Sequence, residues 1–140
     1  MIYILYIFLL AAFSISTYGQ TANADILSSR LHVISVNEGL PQQAVTSIVQ
    51  DKNGFVWMGT YDGLCKYDGT TYKNYYHINN DTTSLSNNRI LAILEDSKGN
   101  LIVGTEGTSC VNFYNKDTDN FHVPTDIKWK NCRSLIEDNN

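Results

Sequence analysis

The stretch Asp51–Gly69, DKNGFVWMGTYDGLCKYDG, decides the fold. Asn53-Gly54, Asp62-Gly63 and Asp68-Gly69 are turn signals, because glycine reaches positive φ without steric cost and Asn or Asp can bond its own backbone. Between the turns lie two short runs, Phe55–Thr60, rich in aromatic and branched residues, and Leu64–Tyr67. Apolar runs of that length bounded by such turns read as an antiparallel meander.

The pattern recurs. Val45–Thr60 aligns with Ile90–Thr105 at a constant offset of 45: Asp51 meets Asp96, Gly54 meets Gly99, Gly59 meets Gly104 and Thr60 meets Thr105. A third copy begins at Cys132-Arg133-Ser134-Leu135-Ile136-Glu137-Asp138. His32, His77 and His122 keep the same step. A period of about 40–50 residues with four strand-like segments is the signature of a β-propeller blade. The expected fold class is therefore all-β, with two four-stranded antiparallel blades and the start of a third in an incomplete ring. The blades span 45–84 and 85–129, and 130–140 opens the next. Residues 25–44 form an N-terminal strand and lead-in loop, in which Leu31–Ile34 takes the register of a blade's last strand.

Within the first blade, Val45–Gln50 is expected innermost. It and Phe55–Thr60 are nearly continuously apolar, as strands buried on both faces are. Trp57 is expected to pack between blades, and Tyr72–His77 to be an outer, partly wet strand. The second blade reads Ile90–Leu94, Asn100–Thr105, Ser109–Tyr114 and Asn120–Val123. Asn100 replaces Phe55 and Ile102 replaces Trp57 there, so its core is expected to be less well filled. Propellers close with about 4–8 blades, and an unclosed stack leaves apolar faces open, so a longer parent is expected.

Residues 1–24 carry no charged side chain, and Ile2–Phe13 is an apolar run. That is short of the roughly 20 residues of a membrane span and fits the core of a secretory signal. Ala22-Asn23-Ala24 or Thr17-Tyr18-Gly19 would be the cleavage site. The region before the run lacks Lys and Arg, which leaves an uncleaved anchor or a misassigned start open. The net charge of −4, with no basic stripe, argues against a nucleic-acid partner.

Cys65, Cys110 and Cys132 have no CxxC spacing, so no zinc or thioredoxin motif is present. Small buried strand residues are the preferred reading of Cys65 and Cys110, with a disulfide unassigned. Equivalent histidines in successive blades diverge, so His32, His77 and His122 are not read as a metal set. The Asp51–Gly54 turn is too short for a calcium loop. No cofactor, metal ligand or catalytic residue is expected; Asp62, Asp68, Glu95 and Asp96 are explained by turns. Tyr61, at a loop, is the one candidate ligand-binding side chain.

Gly39-Leu40-Pro41, the series Gln50-Asp51, Gly54, Trp57, Gly59-Thr60, Asp62-Gly63-Leu64, Tyr67-Asp68-Gly69, and Ser84-Leu85-Ser86-Asn87-Asn88 resemble the two-component regulator propeller repeats. The resemblance covers about residues 30–140. It implies the periplasmic sensor region of a hybrid two-component histidine kinase. Such proteins carry two propellers, an immunoglobulin-like domain, a membrane helix, a kinase, a receiver and often a DNA-binding domain. It further implies an oligosaccharide ligand, phosphorelay signalling, contacts with the remaining blades and downstream domains, and a homodimer when full length. No kinase phosphoacceptor, ATP-binding or receiver motif stands in these 140 residues, so the chain itself is not expected to be an enzyme. The alternatives are an exported propeller enzyme or lectin acting on glycans, and a truncated product without independent function.

Overall fold

A computed structural model describes residues 33–138. The expected signal segment, 1–24, and the Leu31–His32 half of the expected leading strand lie outside the described residues. Eight strands follow: β1 Val45–Gln50, β2 Val56–Thr60, β3 Gly63–Tyr67, β4 Tyr72–Tyr75, β5 Ile90–Glu95, β6 Leu101–Thr105, β7 Val111–Asn115 and β8 Asn120–His122. They form two four-stranded antiparallel sheets, each in sequence order, β1-β2-β3-β4 and β5-β6-β7-β8. The two expected blades are there, each a simple meander.

The turns explain the meanders. Asp51 Oδ1 accepts hydrogen bonds from the Asn53 and Phe55 N–H groups at 2.9 and 3.0 Å, and Asp96 Oδ1 accepts from Lys98 and Asn100 at 3.0 and 2.7 Å. Each carboxylate thus supplies the acceptor that folds its own turn. Gly54 and Gly99 close the turns at φ 88° and 83°, where a side chain would be strained. Register repeats as well. Both first strands carry an irregularity at the same place, between Val45 and Ser47 and between Ile90 and Ala92. Thr46 and Leu91 are therefore the extra, re-aimed residues of two equivalent bulges.

The sheets pack face against face, with β5 lying against β1 and β2. Gly59 permits the approach: a Cβ there would stand 2.6 Å from Ile90 Cγ2. Farther out the gap is filled by large rings. Trp57 is fully buried, stacks on Tyr75 at 5.7 Å and meets Tyr114 edge-on at 4.8 Å; Tyr75 meets Phe121 at 5.4 Å. Two sheets that touch at their inner strands and need aromatic rings outside them are diverging like wedges, as blades around an axis do. The shared core joins Trp57, Leu64, Tyr75 and Leu85 to Ile90, Ile93, Leu101, Val103 and Phe121.

The third copy repeats the contact without forming a strand. A Cβ on Gly104 would stand 2.6 Å from the Cys132 carbonyl oxygen, as Gly59 abuts Ile90. The Lys52 N–H donates to Glu95 Oε2 at 2.9 Å, and 45 residues on the Ser97 N–H donates to Glu137 Oε2 at 2.7 Å. Glu95 and Glu137 are equivalent positions. Residues 131–138 therefore sit against the second blade as β5 sits against the first, though they form no strand with any described residue.

Three expectations are corrected. β1 is not buried on both faces: Val45 is 38% and Ile48 63% exposed, whereas their counterparts Ile90 and Ile93 are buried. The difference is the neighbour, since no described residue covers that face of β1. Val33–Ile34 is not a strand. Val33 is 73% exposed, and the chain turns at once, with the Glu38 and Leu40 N–H groups donating to the Ser35 carbonyl. The third strand of the second blade starts at Val111 rather than Ser109, because Ser109 sits at φ 59°. The second blade buries Ile90, Leu101, Val103 and Phe121, while Ile102, in Trp57's place, is only half-buried.

Candidate functional site

Tyr61 stands between β2 and β3, in the turn made by Tyr61-Asp62-Gly63. Thr60 Oγ1 fixes that turn by accepting from the Asp62 N–H at 3.1 Å and donating to the Gly63 carbonyl at 2.8 Å. Tyr61 is 46% exposed, and the Arg89 guanidinium lies over its ring, 4.6 Å from the centroid. Arg89 also pairs with Glu106 at 3.1 Å. Glu106 is the residue 45 after Tyr61, so one arginine between the blades grips the same position on both. Such a planar cation suits an aromatic face and a carboxylate together.

Around this arginine opens a cleft of about 340 Å³, lined by Tyr61, Arg89, Glu106 and Arg133 together with the bulged residues Thr46 and Leu91. Thr46, Leu91 and Arg133 are the second residues of the three repeat copies. The bulge therefore turns the same position toward the cleft in both blades, which is how bulges serve sites. Its size is that of a small-molecule pocket. The structure thus places Tyr61, the sequence candidate, in a cleft, but joins it to Arg89, Glu106 and Arg133, which sequence reasoning passed over. The available signal was the offset of 45: Ala44 becomes Arg89, and Tyr61 becomes Glu106.

A second polar cluster is structural. Tyr75 and Tyr114 both donate to Asp119 Oδ1, at 2.6 and 2.5 Å, and Lys73 pairs with Oδ2. Burial pushes the Asp119 carboxyl upward, but the bonds from Lys73, Tyr114 and Tyr75 outweigh it and hold the group at about 2. Burial raises the Tyr114 hydroxyl to about 12. Lys66 sits 4.2 Å from the Phe55 ring centroid and 5.1 Å from that of Trp57, and donates to Tyr114 Oη at 3.1 Å. These groups fasten blade to blade.

His77 and His122 do not meet. The His77 ring bonds the Leu85 carbonyl at 2.7 Å, and His122 is exposed at the end of β8; His32 lies outside the described residues. Among the described residues no group of three or more His, Cys, Asp or Glu could hold a metal ion. Asp51 spends its carboxylate on its turn and on Trp57 Nε1 at 2.8 Å. Cys65 and Cys110 are free and fully buried; Cys65 lies in β3, whereas Cys110 precedes β7 and is not a strand residue.

Comparison with known proteins gives concordant results. Residues 39–62 and 84–107 match the family "two component regulator propeller". Over 49 residues the chain is 51% identical to histidine kinase P4 of Formosa agariphila, covering 35% of this chain and 4% of that protein. Among solved structures, the extracellular domains of two proteins of B. thetaiotaomicron named as hybrid two-component systems superpose with TM-scores of 0.58 and 0.52. Each is 30% identical, over 66% of this chain and 13% of the other. The chain thus spans a small part of each relative.

Proposed function

We propose, from the premise that this chain is built of two-component regulator propeller repeats, that it is the N-terminal part of the ligand-sensing propeller of a hybrid two-component histidine kinase. The module recognises an oligosaccharide outside the inner membrane, and catalysis belongs to the kinase and receiver of the parent. The observation that carries this reading is the pairing of two like blades with 30% identity to extracellular sensor domains. The exposed cleft around Tyr61 supports a recognition role: it combines an aromatic face with polar groups that could fix orientation. Export rests on the apolar run Ile2–Phe13. The remaining blades and domains, and a second copy, would be its protein partners.

The test is an in-frame deletion of residues 45–122 from the chromosomal gene, with transcript profiling after addition of purified oligosaccharides. Loss of induction by one oligosaccharide class, with the response to others intact, is the expected result. Unchanged induction by every oligosaccharide would refute the reading.

A further inference from the structure

The cleft between the blades combines features that a neutral binding site does not need. Two of its lining side chains are arginines, Arg89 and Arg133, against a single carboxylate, Glu106. The chain as a whole carries −4, so this is a locally cationic spot on an acidic protein. The two arginines differ in state. Arg89 is already engaged, clamped between the Tyr61 ring and Glu106. Arg133 is exposed and lines the cleft without an ion pair to any described residue. It stands at the position of the bulged residues Thr46 and Leu91. Its backbone is tied in by the preceding residues: the Cys132 N–H donates to the Thr105 carbonyl at 3.0 Å, and the Asn131 N–H to the Gly107 carbonyl at 3.1 Å.

We propose that this cleft reads an anionic group, a carboxylate or a sulfate, carried on a sugar whose ring lies against Tyr61. Arg133 supplies the free guanidinium fork, which matches a planar or trigonal anion with two parallel N–H donors. Arg89 is the positioning residue: held by Tyr61 and Glu106, it keeps a second positive charge at the cleft wall. Glu106 limits that charge and so competes with the ligand. The proposal rests on the oligosaccharide-sensing reading for the sugar and on the arginines for the anion.

The two parts separate in one experiment. The chain has three arginines, Arg30, Arg89 and Arg133, so the ¹⁵N-labelled full chain gives three side-chain Nε signals, which single Arg→Lys variants assign one by one. The probes are methyl glucuronide, methyl glucoside and acetate at matched ionic strength. Methyl glucuronide should shift the Arg89 and Arg133 signals saturably, and methyl glucoside should shift neither. Arg133→Gln should weaken the glucuronide response about tenfold, the scale of a lost charge-assisted pair. Glu106→Gln should strengthen it several-fold. If acetate acts as strongly as the glucuronide, the anion site stands and the sugar reading fails. If the glucoside acts as strongly as the glucuronide, sugar binding stands and the anion site is overturned. It is likewise overturned if neither the Arg89 nor the Arg133 signal moves with the glucuronide.

Discussion

Substituting Gly59 by alanine tests whether the two sheets are packed as blades. Gly59 lies within β2, paired with Ser47 on one side and Leu64 on the other. An added methyl would stand 2.6 Å from Ile90 Cγ2, 3.0 Å from its Cβ and 3.2 Å from Thr46 Oγ1. Carbon atoms settle at roughly 3.5–4.0 Å, so β5 must withdraw by about 1 Å. Ile90 is fully buried and cannot swing away into solvent. Overpacking of this kind costs about 1–3 kcal/mol, which for a domain of this size lowers Tm by on the order of 10 °C. The sign is informative. Without a neighbouring blade, Gly59→Ala would remove a strand glycine and stabilise the chain by about 0.5–1 kcal/mol. Ile90→Ala alone should cost about 2–5 kcal/mol through the cavity it leaves. In that background the methyl added at Gly59 has room, so the two changes should couple favourably by about 1 kcal/mol. Urea unfolding of the four variants of the full chain, followed by tryptophan fluorescence, gives the cycle. A neutral or stabilising Gly59→Ala, or strict additivity with Ile90→Ala, would refute the blade-on-blade contact.

Trp57→Phe should cost about 1–3 kcal/mol in urea unfolding, because Asp51 Oδ2 loses a buried donor and the smaller ring leaves part of the buried site unfilled. Asp119 sits at about 2 against an ordinary 3.8, so it contributes stability above pH ~4 that is lost as pH falls toward ~2. Asp119→Asn should therefore lower the midpoint at neutral pH and flatten its fall over that acid window, as read by thermal melts across pH. Burial pushes the Cys65 thiol up to about 11, and Cys65 and Cys110 are fully inaccessible. Iodoacetamide at pH 8 should leave both unmodified in the native chain and label them only under denaturant, as read by peptide mass spectrometry.

The meanders were legible because turn chemistry is local: Asp51 and Asp96 fold their turns with bonds to residues at most four positions away. The offset of 45 carried that reading to the second blade, and the repeated Glu95-Asp96 and Glu137-Asp138 carried it to residues 132–138. What the sequence hid depends on neighbours. Ile48 and Ile93 occupy equivalent positions, yet one is 63% exposed and the other 8%, because only one faces another sheet. The Asp119 cluster gathers Lys73 and Tyr75 from 44 to 46 residues away, a separation at which a charge or hydroxyl leaves no local pattern. Tyr61 was legible as a loop aromatic. Arg89 was not, because its role comes from standing between two equivalent positions that happen to be an aromatic ring and a carboxylate.

The internal repeat separates framework from rim. Several positions that make a blade keep their residue between copies: Asp51 and Asp96 in the turn, Gly59 and Gly104 in the close approach, Thr60 and Thr105 in the strand, and, from the second copy to the third, Glu95 and Glu137 as acceptors between blades. Positions around the cleft do not. Tyr61 becomes Glu106; Ala44 becomes Arg89 and then Asn131; Thr46 becomes Leu91 and then Arg133. If stacking alone governed the strand ends, the bulged position would carry similar residues in the two blades, since its backbone is the same. Instead it carries a hydroxyl in one and an apolar chain in the other, and the aligned residue of the third copy is a cation. A rigid, repeated scaffold with a varied rim is how recognition is built from identical units, with loops free to change where no partner strand constrains them. The cleft is therefore where a ligand's chemistry should be sought, and the blade faces are where stability should be.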